Sequence, residues 1–329
     1  MMLKSRPKGS DYMKKESVER CVDSGGPYCP CHLAYSGDCI RCGMLNSRNT
    51  CDCMWQGTCI YNEVKKGEYE KTSYGERKEY LCRVLEKTEI EKNLYILKIQ
   101  LPSELCSKLI EPGSFVLLKS RKNQGFNAPI SVMDVDTYKN ILYVVIKSVG
   151  VKTKDIVANE MIYVKGGYFS GILGVREIKM VEKTNCMVVL NGLSQVNSLN
   201  VIKRLIENNN NVKVYINKGA TVLDYVIDKI KKMNCEIEYI DLKKDMDFIK
   251  DYIIRKNVSL VYCGASVSVS QEIMDIIDDI DENIKLCISN NNLICCGEGL
   301  CGACRVNVCG NSIKMCKTQV DAKKYLKSL

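Results

Sequence analysis

No apolar run in this chain approaches the ~18 residues that a membrane-spanning helix needs, which argues against a membrane span. The first sixteen residues, MMLKSRPKGSDYMKKE, are polar and charged and lack the apolar core of a secretory signal. A reducing, cytoplasmic compartment is therefore the expectation. Histidine occurs once, as His32. The net charge of +9 comes without the aromatic interleaving of a nucleic-acid surface, because Lys65–Lys66, Lys231–Lys232 and Lys243–Lys244 are scattered among acids. These are read as solvated lysines that at most steer an acidic partner, and no nucleic acid is expected. What is abundant is cysteine, at 20 of 329 residues. In a reducing compartment, clustered thiols point to metal or iron–sulfur ligation more than to disulfides. The length allows two or three domains with real cores, and 46% hydrophobic content needs no special staple.

The sharpest signal is CCGEGLCGACRVNVCGNSIKMC at 295–316. Cys296, Cys301 and Cys304 are spaced C-x4-C-x2-C, and Cys316 follows a short β-like excursion, the ligand order of a plant-type [2Fe-2S] site. Gly297, Gly299 and Gly302 stand between the ligands, where a loop must bring backbone N–H groups toward sulfur. Buried reduced thiols acting as small hydrophobes are the bland alternative. Cys295 and Cys309 are counted as non-ligands.

Residues 1–20 read as a loosely held polar tail. Residues 21–62 carry eight cysteines: Cys21, Cys29, Cys31, Cys39, Cys42, Cys51, Cys53 and Cys59. This segment has few large apolar residues, so thiolate-bound metal is expected to organise it. Cys39-x-x-Cys42 is a good two-ligand bite, whereas Cys29-x-Cys31 and Cys51-x-Cys53 are tighter. The spacing leaves an additional Fe–S cluster and zinc both open, with a disulfide knot as the alternative.

A charged linker at 64–78 leads to a stretch of short β-like runs, LYILKIQL (94–101), SFVLLKS (114–120) and ILYVVIKSV (141–149), punctuated by Gly113 and Lys139–Asn140. These predict a small antiparallel β-barrel. After about residue 180, apolar strands at 186–190, 212–216, 235–240, 260–263 and 284–288 alternate with helical patterns such as Leu199, Ile202, Leu205 and Val269, Ile273, Ile276. That alternation predicts a parallel sheet covered on both faces, with ligands at the carboxyl ends of its strands. The expected fold class is α+β multidomain: a barrel over 79–176, an α/β nucleotide-binding-like domain over 177–290 and a [2Fe-2S] segment over 291–329, preceded by the Cys-rich segment at 21–63.

This order of parts, over roughly 79–320, resembles the electron-transfer subunit of dihydroorotate dehydrogenase and its sulfide dehydrogenase and ferredoxin:NADP transhydrogenase relatives, in the ferredoxin-reductase-like superfamily. The resemblance implies a barrel that binds FAD, an α/β domain that binds NAD(P)H, and a [2Fe-2S] cluster that exchanges single electrons with a catalytic flavoprotein subunit or other redox protein. The family's Arg-Pro-x-Ser flavin motif is matched by Ala128, Pro129, Ile130 and Ser131. Alanine cannot make the arginine's bidentate diphosphate contact. The family's Gly-x-Gly-Thr turn is matched by Gly150, Val151, Lys152 and Thr153, where Lys152 returns one positive charge and Thr153 opens a short helix. After the first α/β strand only Gly192 remains of a glycine-rich turn, with Ser194 read as a helix N-cap. Cys263–Gly264 matches a pair that the family sets beside the nicotinamide; a buried strand cysteine before a turn glycine is the plain alternative.

The expected function is transfer of electrons between NAD(P)H, FAD and a [2Fe-2S] cluster, with no side chain needed as general acid or base. Its competitor is a non-catalytic carrier or redox sensor that has lost flavin and nicotinamide. A zinc-knot interaction protein is the third reading, against which the glycine pattern of 297–302 argues.

Overall fold

The computed structural model describes residues 19–46, 51, 59–67, 77–123, 125, 127–218 and 221–329. The N-terminal segment holds strand β1 (Glu19–Cys21), helix α1 (His32–Tyr35) and helix α2 (Ile60–Gly67). α1 and α2 share a small core of Ala34, Cys42, Leu45, Ile60 and Val64. The segment is therefore less bare of apolar packing than its composition suggests, and α2 runs past the boundary expected at residue 63.

Six strands follow: β2 (Glu79–Glu91), β3 (Leu94–Gln100), β4 (Phe115–Lys119), β5 (Ala128–Asp136), β6 (Ile141–Lys147) and β7 (Met161–Tyr168). They close into an antiparallel barrel in the order β2-β3-β6-β5-β4-β7. Alternation along each strand sends Leu97, Ile99, Val116, Leu118, Val144 and Val164 inward. Helix α3 (Ser103–Cys106) crosses between β3 and β4, and α4 (Val151–Ala158) bridges β6 and β7.

The second body is a six-stranded sheet. Its elements are β8 (Ile172–Leu173), α5 (Val175–Met180), β9 (Asn185–Leu190), α6 (Ser198–Glu207), β10 (Asn211–Asn217), α7 (Asp224–Lys232), β11 (Glu236–Ile240), α8 (Met246–Lys256), β12 (Val258–Gly264), α9 (Val267–Ile280) and β13 (Lys285–Ser289). The order β11-β10-β9-β12-β13-β8 is parallel except for β8, which pairs antiparallel with β13. The sheet thus reaches back to residue 172, before the boundary expected at 177, because two apolar residues are too few to announce a strand. Cys186, Val188 and Leu190 pack on one face of the sheet, Met187 and Val189 on the other. Burial on both faces gives β9 its continuous apolar run.

The chain ends with β14 (Arg305–Val308), β15 (Asn311–Lys314), β16 (Thr318–Val320) and α10 (Ala322–Leu326). β14 and β15 form a hairpin with Cys309 at its turn. β16 pairs antiparallel with β1, so that Cys21 stands opposite Thr318.

Asp134 on β5, 2% exposed, joins barrel to sheet: Lys203 of α6 and Lys229 of α7 lie 2.5 and 2.9 Å from its carboxylate, and Tyr225 donates at 3.0 Å. Burial would raise the Asp134 pKa, but the two ammonium groups outweigh it and hold it below the ordinary value. A depressed folded-state pKa means stability that is present above the unfolded value of about 3.9 and lost as pH falls through the folded one. Asp134→Asn should cost roughly 1.5–3 kcal/mol near neutrality. In denaturant titrations the gap to the parent should close below about pH 4; a gap that persists there contradicts the assignment.

Candidate functional site

The cysteine loop folds back on itself between β13 and β14. Cys296 and Cys304 each share a side-chain hydrogen bond with Cys316, which lowers the pKa of the first two thiols and raises that of Cys316. The N–H groups of Glu298, Leu300 and Cys301 also stabilise a Cys296 thiolate, that of Glu298 at 3.4 Å from Sγ. Cys316 N–H donates to Cys304 Sγ at 3.4 Å. Low-pKa thiols ringed by backbone donors are what a metal–sulfur centre uses. Cys301 is exposed, and its side chain interacts with that of Cys295.

Among the described residues, no three or more His, Cys, Asp or Glu side chains stand ready-made around a single metal ion. The donor chemistry nevertheless fits an iron–sulfur cluster, because Cys296 and Cys304 both interact with Cys316 and backbone N–H groups are turned toward the Cys296 and Cys304 sulfurs. Gly297 shows what this turn requires: at φ +68°, an added Cβ would lie 2.7 Å from the Tyr168 ring. Gly302, at φ +72°, has open space around it.

The N-terminal cysteines sit against the same loop. Cys29, Cys31, Cys39 and Cys42 are near neighbours; burial raises the Cys29 and Cys39 pKa values and adjacent thiols raise them further. Cys42 N–H donates to Cys39 Sγ at 3.4 Å. Burial also pushes the Cys21 thiol up to about 12, helped by Asp23. His32 Nε2 is buried without a hydrogen-bond partner among the described residues. Cys51 and Cys59 are exposed, and Cys53 lies outside the described residues. No disulfide joins the described cysteines.

The two flavin-motif stretches meet at one corner of the barrel. Lys152 Nζ donates to Asn127 O at 3.2 Å, just before Pro129, Ile130 and Ser131 on β5. Burial and the neighbouring Cys301 raise the Cys295 pKa while the charge of Lys152 acts against them, which sets this corner near the cysteine loop. Thr153 Oγ1 accepts from Gly150 N–H at 3.2 Å and donates to Gly150 O at 3.1 Å, and thereby caps α4. Ala128 stands opposite Leu118 and is buried in the barrel core.

Gly192 and Gly264 also come together, at the carboxyl ends of β9 and β12, where the strand order reverses. The turn between them is filled by its own side chains. Gln195, wholly buried, donates to Gly192 O at 2.8 Å and Thr221 O at 2.6 Å and accepts from Leu223 N–H at 3.2 Å. Asn197 accepts from Tyr262 Oη at 2.9 Å. Ser194 lies inside a 3₁₀ turn (Gly192–Asn197), and α6 starts only at Ser198, so the expected N-cap role of Ser194 is corrected. The Cys263 sulfur is wholly buried and accepts from Ser270 at 3.5 Å; only its backbone reaches the strand end.

Asp23, Arg77, Glu298 and Lys317, which the sequence reading passed over, surround the base of the cysteine loop. Arg77 bonds Asp23 at 2.5 Å, Glu298 at 3.2 Å and Gly167 O at 2.8 Å, and lies 4.1 Å from the Tyr28 ring and 4.3 Å from that of Tyr168. Lys317 bonds Asp23 at 2.5 Å and Glu298 at 3.5 Å, and Tyr168 Oη donates to Glu298 at 2.8 Å. Burial opposes charge on Glu298, but Arg77 and Lys317 hold its pKa below the ordinary value.

A closed six-stranded barrel followed by a sheet with the β11-β10-β9-β12-β13 parallel order is matched among solved structures. An NADH-dependent reduced ferredoxin-NADP oxidoreductase, studied for flavin-based electron bifurcation, matches with a TM-score of 0.59 at 20% identity over 76% of this chain and 93% of its own. The chain has a ferredoxin-reductase-like fold. That fold is also matched by the Plasmodium falciparum ferredoxin-NADP+ reductase, with a TM-score of 0.50 at 14% identity over 64% and 96% of the two chains. In sequence, the chain is 25% identical to an uncharacterized protein from the adh 3′ region of Clostridium beijerinckii, over 248 residues. It is 23% identical to a dihydroorotate dehydrogenase B (NAD(+)) electron transfer subunit homolog of Thermotoga maritima, over 239 residues. Each match covers 70% of this chain and 81% of the relative. No family model matches.

On this ferredoxin-reductase-like scaffold the two loop glycines make a direct test. Both variants force a Cβ into left-handed backbone, which costs roughly 1–2 kcal/mol. Gly297→Ala should lose a further ~1–3 kcal/mol to overpacking against Tyr168. Anaerobic thermal unfolding should therefore rank Gly297→Ala below Gly302→Ala; equal losses contradict the contact.

Proposed function

We propose that this protein is an iron–sulfur electron-transfer subunit that exchanges single electrons with a partner oxidoreductase. The observation that carries the reading is the convergence of the Cys296, Cys304 and Cys316 sulfurs in a loop whose N–H groups point at Cys296, beside the barrel corner that carries Lys152. Cys296, Cys301, Cys304 and Cys316 would hold a [2Fe-2S] cluster, with Cys301 turning from Cys295. Ser131, Lys152 and Thr153 would supply polar contacts to FAD, next to Pro129, Ile130 and Gly150. Gly192, Cys263 and Gly264 mark where NAD(P)H would approach the sheet. When bound, FAD divides the electron pair of NAD(P)H into single electrons that the cluster relays. The chain's own residues set distances and local charge. Residues 21–62 would hold a second metal centre, iron–sulfur or zinc, drawn from the gathered Cys29, Cys31, Cys39 and Cys42 together with Cys21, Cys51, Cys53 and Cys59.

The competing carrier or sensor reading has observations of its own. Ala128 lies in the barrel core, and Gln195 fills the turn that a dinucleotide diphosphate would need. The partner, not NAD(P)H, would then supply the electrons.

Cys301→Ser separates cluster from bare thiols. It should abolish the charge-transfer absorption and reduced-state EPR signal of this site in anaerobically purified protein, and an unchanged signal rejects the assignment. For flavin, Lys152→Ala should weaken FAD binding about tenfold for each ~1.4 kcal/mol lost. NAD(P)H should bleach the bound flavin and then reduce the cluster. A protein with iron and sulfide that takes up no flavin is a carrier.

A further inference from the structure

The cysteine loop does not stand on its own part of the chain. Its base is a group of four buried charges, two negative and two positive, one of which, Asp23, comes from the N-terminal segment; half-buried Lys165 adds a fifth charge, 3.3 Å from Glu298. Asp23 and Arg77 are both 1% exposed at the side chain, Lys317 is 1% exposed and Glu298 13%. Glu298 is two residues from Cys296, and its N–H donates to that sulfur. Lys317 directly follows Cys316, and Val22 N–H bonds Lys317 O at 2.9 Å beside the β1–β16 pairing. Leu33 of α1 lies 3.0 Å from where a Cβ on Gly299 would stand, so residues of the N-terminal segment also close over the loop's middle. Asp23 is the only carboxylate that bridges both Arg77 and Lys317 from this segment among the described residues.

We propose that residues 19–46, together with Arg77 at the entry to the barrel, form an electrostatic clamp on the cysteine loop, in which Asp23 and Arg77 are positioning residues that set the reduction potential of the cluster held there. This rests on the [2Fe-2S] reading. A cluster that accepts one electron becomes more negative, and in a dry environment fixed charges act on it with little screening. A nearby cation favours the reduced form and a nearby carboxylate disfavours it. With Lys165 counted, two negative and three positive charges stand together, so removing any one shifts the charge beside two of the expected ligands by one unit. Removal of Asp23 makes the surroundings more positive, whereas removal of Arg77 makes them less positive.

The opposite signs distinguish tuning from mere support, because a loosened fold has no reason to shift the potential up for one variant and down for the other. The test is an EPR-monitored reductive titration of the full-length protein with dithionite, alongside iron and sulfide analysis. Asp23→Asn should raise the midpoint and Arg77→Met should lower it. Each should change the reduced-to-oxidised ratio at the parent's midpoint by about tenfold, ~59 mV for a one-electron couple. Should Arg77→Met fail to fold, Lys317→Met carries the same predicted sign. Shifts in one direction for both charge types, or no shift, overturn the clamp while leaving the cluster in place. A parent protein without iron and sulfide overturns the cluster reading and the clamp with it.

Discussion

A buried ion group of Asp23, Arg77, Glu298 and Lys317 ties the N-terminal segment and the entry to the barrel to the cysteine loop. Each of these charges loses several kcal/mol of hydration on burial. Only mutual pairing, with Tyr168 and the Gly167 carbonyl taking up further hydrogen bonds, makes the arrangement tenable. Removing one partner strands the others, which is why such groups tolerate substitution poorly. The group draws on the N-terminal segment, the entry to the barrel and both ends of the cysteine loop. It therefore fixes the position of the loop relative to the barrel corner at Lys152. The N-terminal segment is thus part of the site rather than an appendage to it.

Much of the scaffold was legible in the sequence. The runs at 94–101, 114–120 and 141–149 became β3, β4 and β6, and the five apolar runs after residue 180 became the parallel strands. Their periodicity is local and survives burial. β2 escaped notice because its residues after Val84 face solvent, and its apolar residues Leu81, Leu85 and Ile90 are exposed rather than alternating into a core. β8 escaped because two residues carry no period. The cysteine loop was legible from spacing and glycines alone. Its ion group was not, since Asp23 and Lys317 are 294 residues apart and neither sits in a recognisable motif. A lone buried lysine in a turn beside an expected ligand cysteine has no sequence signature.

The cofactor corners show different degrees of change on one scaffold. At the barrel, the structure brings Asn127–Ser131 and Gly150–Thr153 together, with Lys152 spanning the gap. At the sheet, the close approach of Gly264 to the turn after β9 is used for internal packing, and Gln195 takes the hydrogen bonds that an open turn would leave to a ligand. A wholly buried, fully bonded glutamine is costly to displace, because its partners would be left unsatisfied. The sulfur-rich end has the opposite character: the Cys296 and Cys304 thiols are depressed in pKa and backbone donors are aimed at both sulfurs. The redox chemistry proposed for this protein is therefore centred on the cysteine loop, with the barrel and sheet as its frame.

The most direct test of that claim is the EPR spectrum of the anaerobically purified, dithionite-reduced protein, taken with iron and acid-labile sulfide measured on the same sample. The account predicts iron with labile sulfide and the signal of a reduced [2Fe-2S] cluster. Zinc in place of iron, or reduced protein that contains neither sulfide nor such a signal, would contradict it.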